Sequence, residues 1–155
     1  MLNVVLVNPE IPPNTGNVGR LCLATGSRLH LIRPLGFSID DKQVRRAGLD
    51  YWERVDLQMW DSFEELESAS LVADPAARFI LLSKKAANPY WDEEFRDGDF
   101  LVFGRETKGL PERLLARHAD RCVRIPMLEG STRSLNLATS VAAVLYEAQR
   151  QLAKR

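Results

Sequence analysis

Short apolar runs alternate with stretches of helical periodicity along the whole chain, and this alternation most narrows the fold. Residues 2–7 read Leu-Asn-Val-Val-Leu-Val, apolar on both faces of an extended strand. Such a strand needs cover on both sides, which a parallel sheet between two helical layers provides. Similar short runs at 28–32, 79–82, 100–103 and 122–125 predict further strands. Helical spacing predicts helices over 14–25, 39–47, 62–70, 111–118 and 135–152, with Gly26 stopping the first. The last helix carries an apolar stripe of Leu137, Ala138, Val141, Val144, Leu145, Ala148 and Leu152. The β-α-β order implies an α/β fold, a mostly parallel sheet with helices on both faces. No repeat or linker divides the chain, so residues 1–155 are expected to form one domain.

Charge and cysteine content remove several function classes. The 21 basic and 21 acidic residues balance, so net charge does not argue for nucleic-acid binding. Arg20, Arg28, Arg33, Lys42, Arg45 and Arg46 do cluster, and a basic face and an ordinary solvated surface both fit that cluster. No apolar run reaches the roughly 18 residues needed to span a bilayer, and the first residues read as a strand, not a signal peptide. A cytoplasmic protein without a membrane partner is expected. Cys22 and Cys122 sit among apolar neighbours and are expected as buried thiols. His30 and His118 share no ligand spacing with each other or with a cysteine, so no metal is expected.

Ligands of open α/β sheets bind beyond the carboxyl ends of the strands, which directs attention to three loops. The first, 8–20, reads N-P-E-I-P-P-N-T-G-N-V-G-R. Its prolines stiffen it, Asn14 or Thr15 can cap the next helix, and Arg20 can fork onto a phosphate. It lacks the glycine spacing of a dinucleotide fingerprint. The second, 103–111, reads F-G-R-E-T-K-G-L-P. Gly104 and Gly109 begin a phosphate-loop pattern, but Leu-Pro follows where Lys-Ser/Thr is required, which excludes a nucleoside triphosphatase of that type. These glycines permit either a tight turn or close approach of a ligand. The third, 125–137, reads I-P-M-L-E-G-S-T-R-S-L-N-L, with Ser134 as the expected N-cap of the last helix. No Ser-His-Asp set, carboxylate pair or Cys-His nucleophile stands out, so chemistry would rest on a bound cofactor and on positioning.

In this order the three loops resemble the three motifs of the SPOUT methyltransferases, above all the small tRNA 2′-O-methyltransferases acting on a wobble cytidine or uridine. The carrying segments are 8–17 with Arg20, 103–111, 125–127 and 133–137, and 41–51 (D-K-Q-V-R-R-A-G-L-D-Y) is similar to the same subgroup. Arg105 stands where relatives often have proline. The resemblance implies a deep trefoil knot near the C-terminus, which general topology rules would not suggest. It implies a homodimer with cofactor pockets near the subunit interface, S-adenosyl-L-methionine as cofactor, and the anticodon stem-loop of tRNA as partner. Carried over by position, it implies a cofactor pocket of Leu82, Ser83, Gly104, Glu106, Ile125, Met127, Ser134, Leu135 and Asn136.

Arg20 is the catalytic residue the resemblance implies, with Asn14, Arg20, Arg45, Arg46 and Tyr146 toward the substrate; core packing is the other reading of Tyr146. A guanidinium is a poor base because its pKa exceeds about 12. Arg20 is therefore expected to clamp phosphate or developing oxyanion while the 2′-hydroxyl attacks the sulfonium methyl, the proton leaving to RNA phosphate or water. Two alternatives stand beside this: a ribosomal RNA 2′-O-methyltransferase of the same fold, and a non-catalytic RNA-binding module in which Gly16-Asn17-Val18-Gly19 forms a KH-type loop.

Overall fold

Seven strands form one sheet in the structure, a computed structural model that describes residues 1–154. They are β1 (Asn3–Val7), β2 (Arg28–Ile32), β3 (Leu57–Trp60), β4 (Phe79–Leu82), β5 (Asn88–Pro89), β6 (Phe100–Phe103) and β7 (Cys122–Arg124). All pair in parallel, in the order β3-β2-β1-β6-β4-β7-β5. The helices are α1 (Pro12–Thr25), α2 (Lys42–Gly48), α3 (Phe63–Ala73), α4 (Glu112–Arg117) and α5 (Leu137–Ala153).

The two-faced reading of the first strand explains the layers. Leu2, Val4 and Leu6 pack on one side with Val18 and Cys22 of α1 and with Val141, Val144 and Leu145 of α5. Val5 and Val7 pack on the other with Phe63 and Leu66 of α3 and Leu114 of α4. The expected stripe of α5 is the buried one: Leu137, Val141, Val144, Leu145 and Ala148 are in the core, with Ala138 and Leu152 at its edge. Gly26 ends α1 in the left-handed conformation, φ 64°, as expected. Gln149 of α5 donates to the Thr25 carbonyl (3.1 Å), tying the two helices of that face together.

Several boundaries differ from the sequence reading. α1 starts two residues early because Pro12 and Pro13 occupy its first positions, where a missing N–H costs nothing. Its N-cap is Ile11, with no side-chain cap, so neither Asn14 nor Thr15 caps it. α5 is capped by Asn136, whose Oδ1 accepts from Thr139 N–H (3.3 Å), and not by Ser134. α2 starts at Lys42 and passes into a 310 turn at Leu49–Arg54. Ser62 caps α3, accepting from Glu65 N–H, while Glu65 accepts from Asp61 N–H. The half-buried β3 and the two-residue β5 carry too little apolar signal to have been expected. Gly16 and Gly19 lie inside α1, and a Cβ on Gly19 would meet the Trp52 ring at 2.5 Å, so this segment is no KH-type loop.

Three of the six residues of the basic cluster are compensated. Arg28 pairs with Asp56 (2.8 Å), Arg33 with Asp61 (3.1 Å), and Arg45 with Asp40 and Glu53. No described helix is long and apolar enough to cross a membrane.

Candidate active site

β4, β6 and β7 are adjacent or near-adjacent in the sheet, so the loops leaving their carboxyl ends converge. They enclose a cleft of about 370 Å³. Leu82 and Ser83 reach it from the end of β4, Gly104 and Glu106 from the loop after β6, and Ile125, Met127, Ser134 and Leu135 from the loop between β7 and α5. Eight of the nine residues expected around a cofactor thus line one cavity. The ninth, Asn136, is engaged at the α5 cap. Phe103, Leu110, Leu115, Leu137 and Ser140 also line the cleft. They escaped the sequence reading because each is equally explained by core packing or a helix surface.

The second loop is shaped by its own return. Arg105 and Gly109 form an antiparallel bridge, with Gly109 N–H donating to the Arg105 carbonyl at 2.9 Å. Gly109 has φ 66°, which suits glycine. A Cβ on Gly104 would lie 2.1 Å from the Gly109 carbonyl carbon and 2.2 Å from the Leu110 nitrogen. The absent side chain at 104 is therefore required by the loop itself, whatever ligand lies beyond it.

Glu106 has a role that position in the chain did not reveal. Its carboxylate accepts the N–H groups of Glu10 (2.9 Å) and Ile11 (3.0 Å), and Asn14 Nδ2 (3.4 Å). These donors surround the α1 N-terminus, which has no acidic residue in its first turn. Glu106 thus supplies, from a distant loop, the negative charge that helix start favours. Thr107 returns the contact, donating its hydroxyl (2.7 Å) and N–H (3.2 Å) to Glu10 Oε1. Those two bonds, with lesser help from Arg105 and Lys108, hold the Glu10 carboxyl below its ordinary value. The third loop joins through Asn136, whose Nδ2 donates to Asn14 Oδ1 at 2.9 Å. Asn14 is 7% exposed and bonds to both other loops, so it locks the three together; its place in the structure is a junction inside the protein.

The remaining residues expected toward the substrate lie elsewhere. Arg20, Arg45, Arg46 and Tyr146 are exposed and do not line the cleft. Arg20 forms no hydrogen bond or ion pair among the described residues. Tyr146 is 52% exposed on α5, so the core-packing alternative for it fails. Cys22 is buried and its thiol is pushed up to about 12 by that burial; half-buried Cys122 is raised in the same direction. Neither is a poised nucleophile.

Comparison with known proteins decides the family. The model of the SpoU rRNA methylase family matches residues 1–146. The chain belongs to that family. Among SpoU proteins, the tRNA (cytidine(34)-2′-O)-methyltransferase of Burkholderia pseudomallei (strain 1106a) is 51% identical over 155 residues, covering 97% of this chain and 96% of the relative. A solved structure concerned with 2-OH methylation of C/U34 on tRNA superposes with a TM-score of 0.93 at 48% identity, covering 100% of this chain and 98% of that one. The SpoU methyltransferase AviRb from Streptomyces viridochromogenes, in complex with the cofactor AdoMet, superposes with a TM-score of 0.86 at 27% identity, covering 100% of this chain and 62% of that one.

Proposed function

We propose that this SpoU protein is an S-adenosylmethionine-dependent tRNA methyltransferase that modifies the ribose 2′-hydroxyl of nucleotide 34, a cytidine or uridine in the anticodon loop. The observation that carries the reading is the convergence of three loops, far apart in the chain, on one cleft over the carboxyl ends of β4, β6 and β7. The residues present suit the cofactor. The cleft is of ligand size, with apolar walls from Leu82, Leu110, Ile125, Met127 and Leu135. Backbone of the glycine-containing second loop forms another wall. When bound, S-adenosylmethionine supplies a methyl group on a good leaving group, so no protein nucleophile is needed. Leu82, Ser83, Gly104, Ile125, Met127, Ser134 and Leu135 hold it in this reading. Glu106, Asn14 and Asn136 keep the holding loops in register.

Arg20 orients the RNA by a forked contact to phosphate, or to the oxygen losing its proton. Its exposure and its place outside the cleft favour delivery from a second copy of the chain. A homodimer is read here, with Tyr146 and exposed Ile11 and Leu135 on the surfaces available for it. Arg45 and Arg46 are read as flanking RNA contacts. A trefoil knot is read in the C-terminal part: β6 inserts between β1 and β4, β7 returns to the far side of β4, and α5 then packs across α1. The chain is read as one domain working in the cytoplasm, where two free thiols are stable. Transfer RNA is preferred over ribosomal RNA because the relative named for nucleotide 34 matches at 51% over nearly its full length.

The test is calorimetric titration with S-adenosylmethionine, followed by mass spectrometry of tRNA for 2′-O-methylation at position 34. Saturable binding and methylation are expected, with methylation lost in a folded Arg20→Ala protein that still binds cofactor. A folded protein that binds no S-adenosylmethionine refutes the enzyme reading. Full activity in Arg20→Lys refutes the forked contact.

A further inference from the structure

Nine of the twenty described basic side chains form ion pairs, as Arg28 does with Asp56 and Arg117 with Glu67. The mouth of the cleft gathers four that do not. Lys84 from the loop after β4, Arg105 and Lys108 from the loop after β6, and Arg133 from the loop before α5 all line it. All four are exposed, and none forms an ion pair among the described residues. The acidic residues of the same lining are engaged: Glu106 by the N–H groups of Glu10 and Ile11, Glu112 by Lys85. Glu10 is the further carboxylate felt by Arg105 and Lys108, and Thr107 holds it.

Four like charges around one opening repel one another, with Glu10 offsetting part of the charge of Arg105 and Lys108. In a chain of balanced net charge, this concentration needs a counter-charge from outside. The cofactor does not supply it. S-adenosylmethionine has one carboxylate and no phosphate, and its sulfonium is itself positive. The four cations come from three loops spread around the mouth, so an extended polyanion fits them better than a single anion. We propose that Lys84, Arg105, Lys108 and Arg133 hold successive phosphates of the RNA strand that enters the cleft, which fixes the path of the substrate on this chain. This rests on the RNA-methyltransferase reading above and adds the residues that carry the backbone.

The test is fluorescence anisotropy of a labelled anticodon stem-loop RNA bound to the full-length protein over a range of salt concentrations. Each residue is replaced singly by alanine and all four together. Calorimetry with S-adenosylmethionine on the same proteins reports the state of the pocket. Each single change is expected to weaken RNA binding several-fold and to lower the slope of log K against log salt by about 0.7 to 0.9, the share of one phosphate. Cofactor affinity is expected to stay within about twofold. An unchanged slope in the quadruple variant overturns the proposal. So does a loss of cofactor affinity with RNA binding intact, which would assign the cations to the cofactor, or competition by polyglutamate as strong as by RNA. Failure of the enzyme reading is separate: the wild-type protein would bind RNA with the expected slope losses yet bind no S-adenosylmethionine.

Discussion

Replacing Glu106 with glutamine keeps the side chain's size and removes its charge, which isolates the clamp between the first two loops. The carboxylate accepts Glu10 N–H at 2.9 Å with Oε2, and Ile11 N–H at 3.0 Å and Asn14 Nδ2 at 3.4 Å with Oε1. A glutamine has one acceptor oxygen. Whichever way it turns, its amide NH₂ faces a backbone N–H, so one bond becomes a donor–donor contact. A hydrogen bond to a charged group is worth about 1.5–3 kcal/mol, and the surviving one falls to the neutral value near 1. The favourable interaction with the α1 N-terminus is also lost, at about 0.5 kcal/mol for a partly exposed group. The expected destabilisation is therefore about 2.5–5.5 kcal/mol. Urea unfolding measures it, and calorimetry with S-adenosylmethionine shows whether the cleft loosens with the clamp. Glu106→Asp, one methylene shorter, should retain charge but lose reach and fall between the two. If Glu106→Gln unfolds within about 0.5 kcal/mol of wild type, the carboxylate does not hold the loops and the account of the site's assembly is wrong.

Acid sensitivity should trace in part to His30, which is 3% exposed. Trp60 Nε1–H donates to its Nδ1 (3.0 Å), so Nε2 carries the proton and donates to Asn3 Oδ1 (3.1 Å). Burial first, then nearby Arg28, push its pKa from 6.5 to about 4. The unfolded chain therefore takes up the proton first as pH falls, and this group's stability, complete above 6.5, is lost between 6.5 and 4. Between about pH 7.5 and pH 5 the wild type should lose roughly 2 kcal/mol more than His30→Gln in urea unfolding, and parallel pH profiles would refute this. Gly104→Ala should cost about 2–3 kcal/mol, because its Cβ meets backbone that cannot yield. It should also weaken S-adenosylmethionine binding by at least about tenfold, and native stability and affinity would disprove the close approach.

Legibility in the sequence followed the range of the interactions. β1 and α5 could be read because their signals are local: a run apolar on both faces, and a stripe repeated over 17 residues. The pooling of residues from the second and third loops in one pocket came from the resemblance, whereas the strand order that brings them together was not legible. The α5 cap was misread because Ser134 and Asn136 are both good cap residues and only the chain's path decides between them. Glu106 lines the cleft as expected, but its bonds to Glu10 and Ile11 were not legible because those partners lie some ninety residues away. The pairing within the basic cluster at 20–46 was illegible for the same reason. Asp56 and Asp61, which neutralise Arg28 and Arg33, sit one strand further along and become neighbours only when β3 joins β2. Conversely, the cations at the cleft are dispersed from 84 to 133, where no window of sequence shows them as a group.

The division of labour in the site follows from this arrangement. Everything that lines the cleft comes from residue 82 onward, whereas Arg20 stands on α1 outside it. The two regions are joined by the loop before α1, and Glu106, Asn14 and Asn136 hold that loop against the cleft. The network therefore does more than stabilise a turn: it sets where the α1 N-terminus sits relative to the cavity. α1 in turn packs against α5, the helix that carries Tyr146 and begins at Asn136. Any surface formed by α1 and α5 together is thereby built in fixed register with the cleft. A second copy docking on that surface would find its own Arg20 placed by the same bonds that shape its partner's cofactor walls. A single asparagine, Asn14, buried between a carboxylate and an amide, couples the loops of the cleft to the helix that carries Arg20.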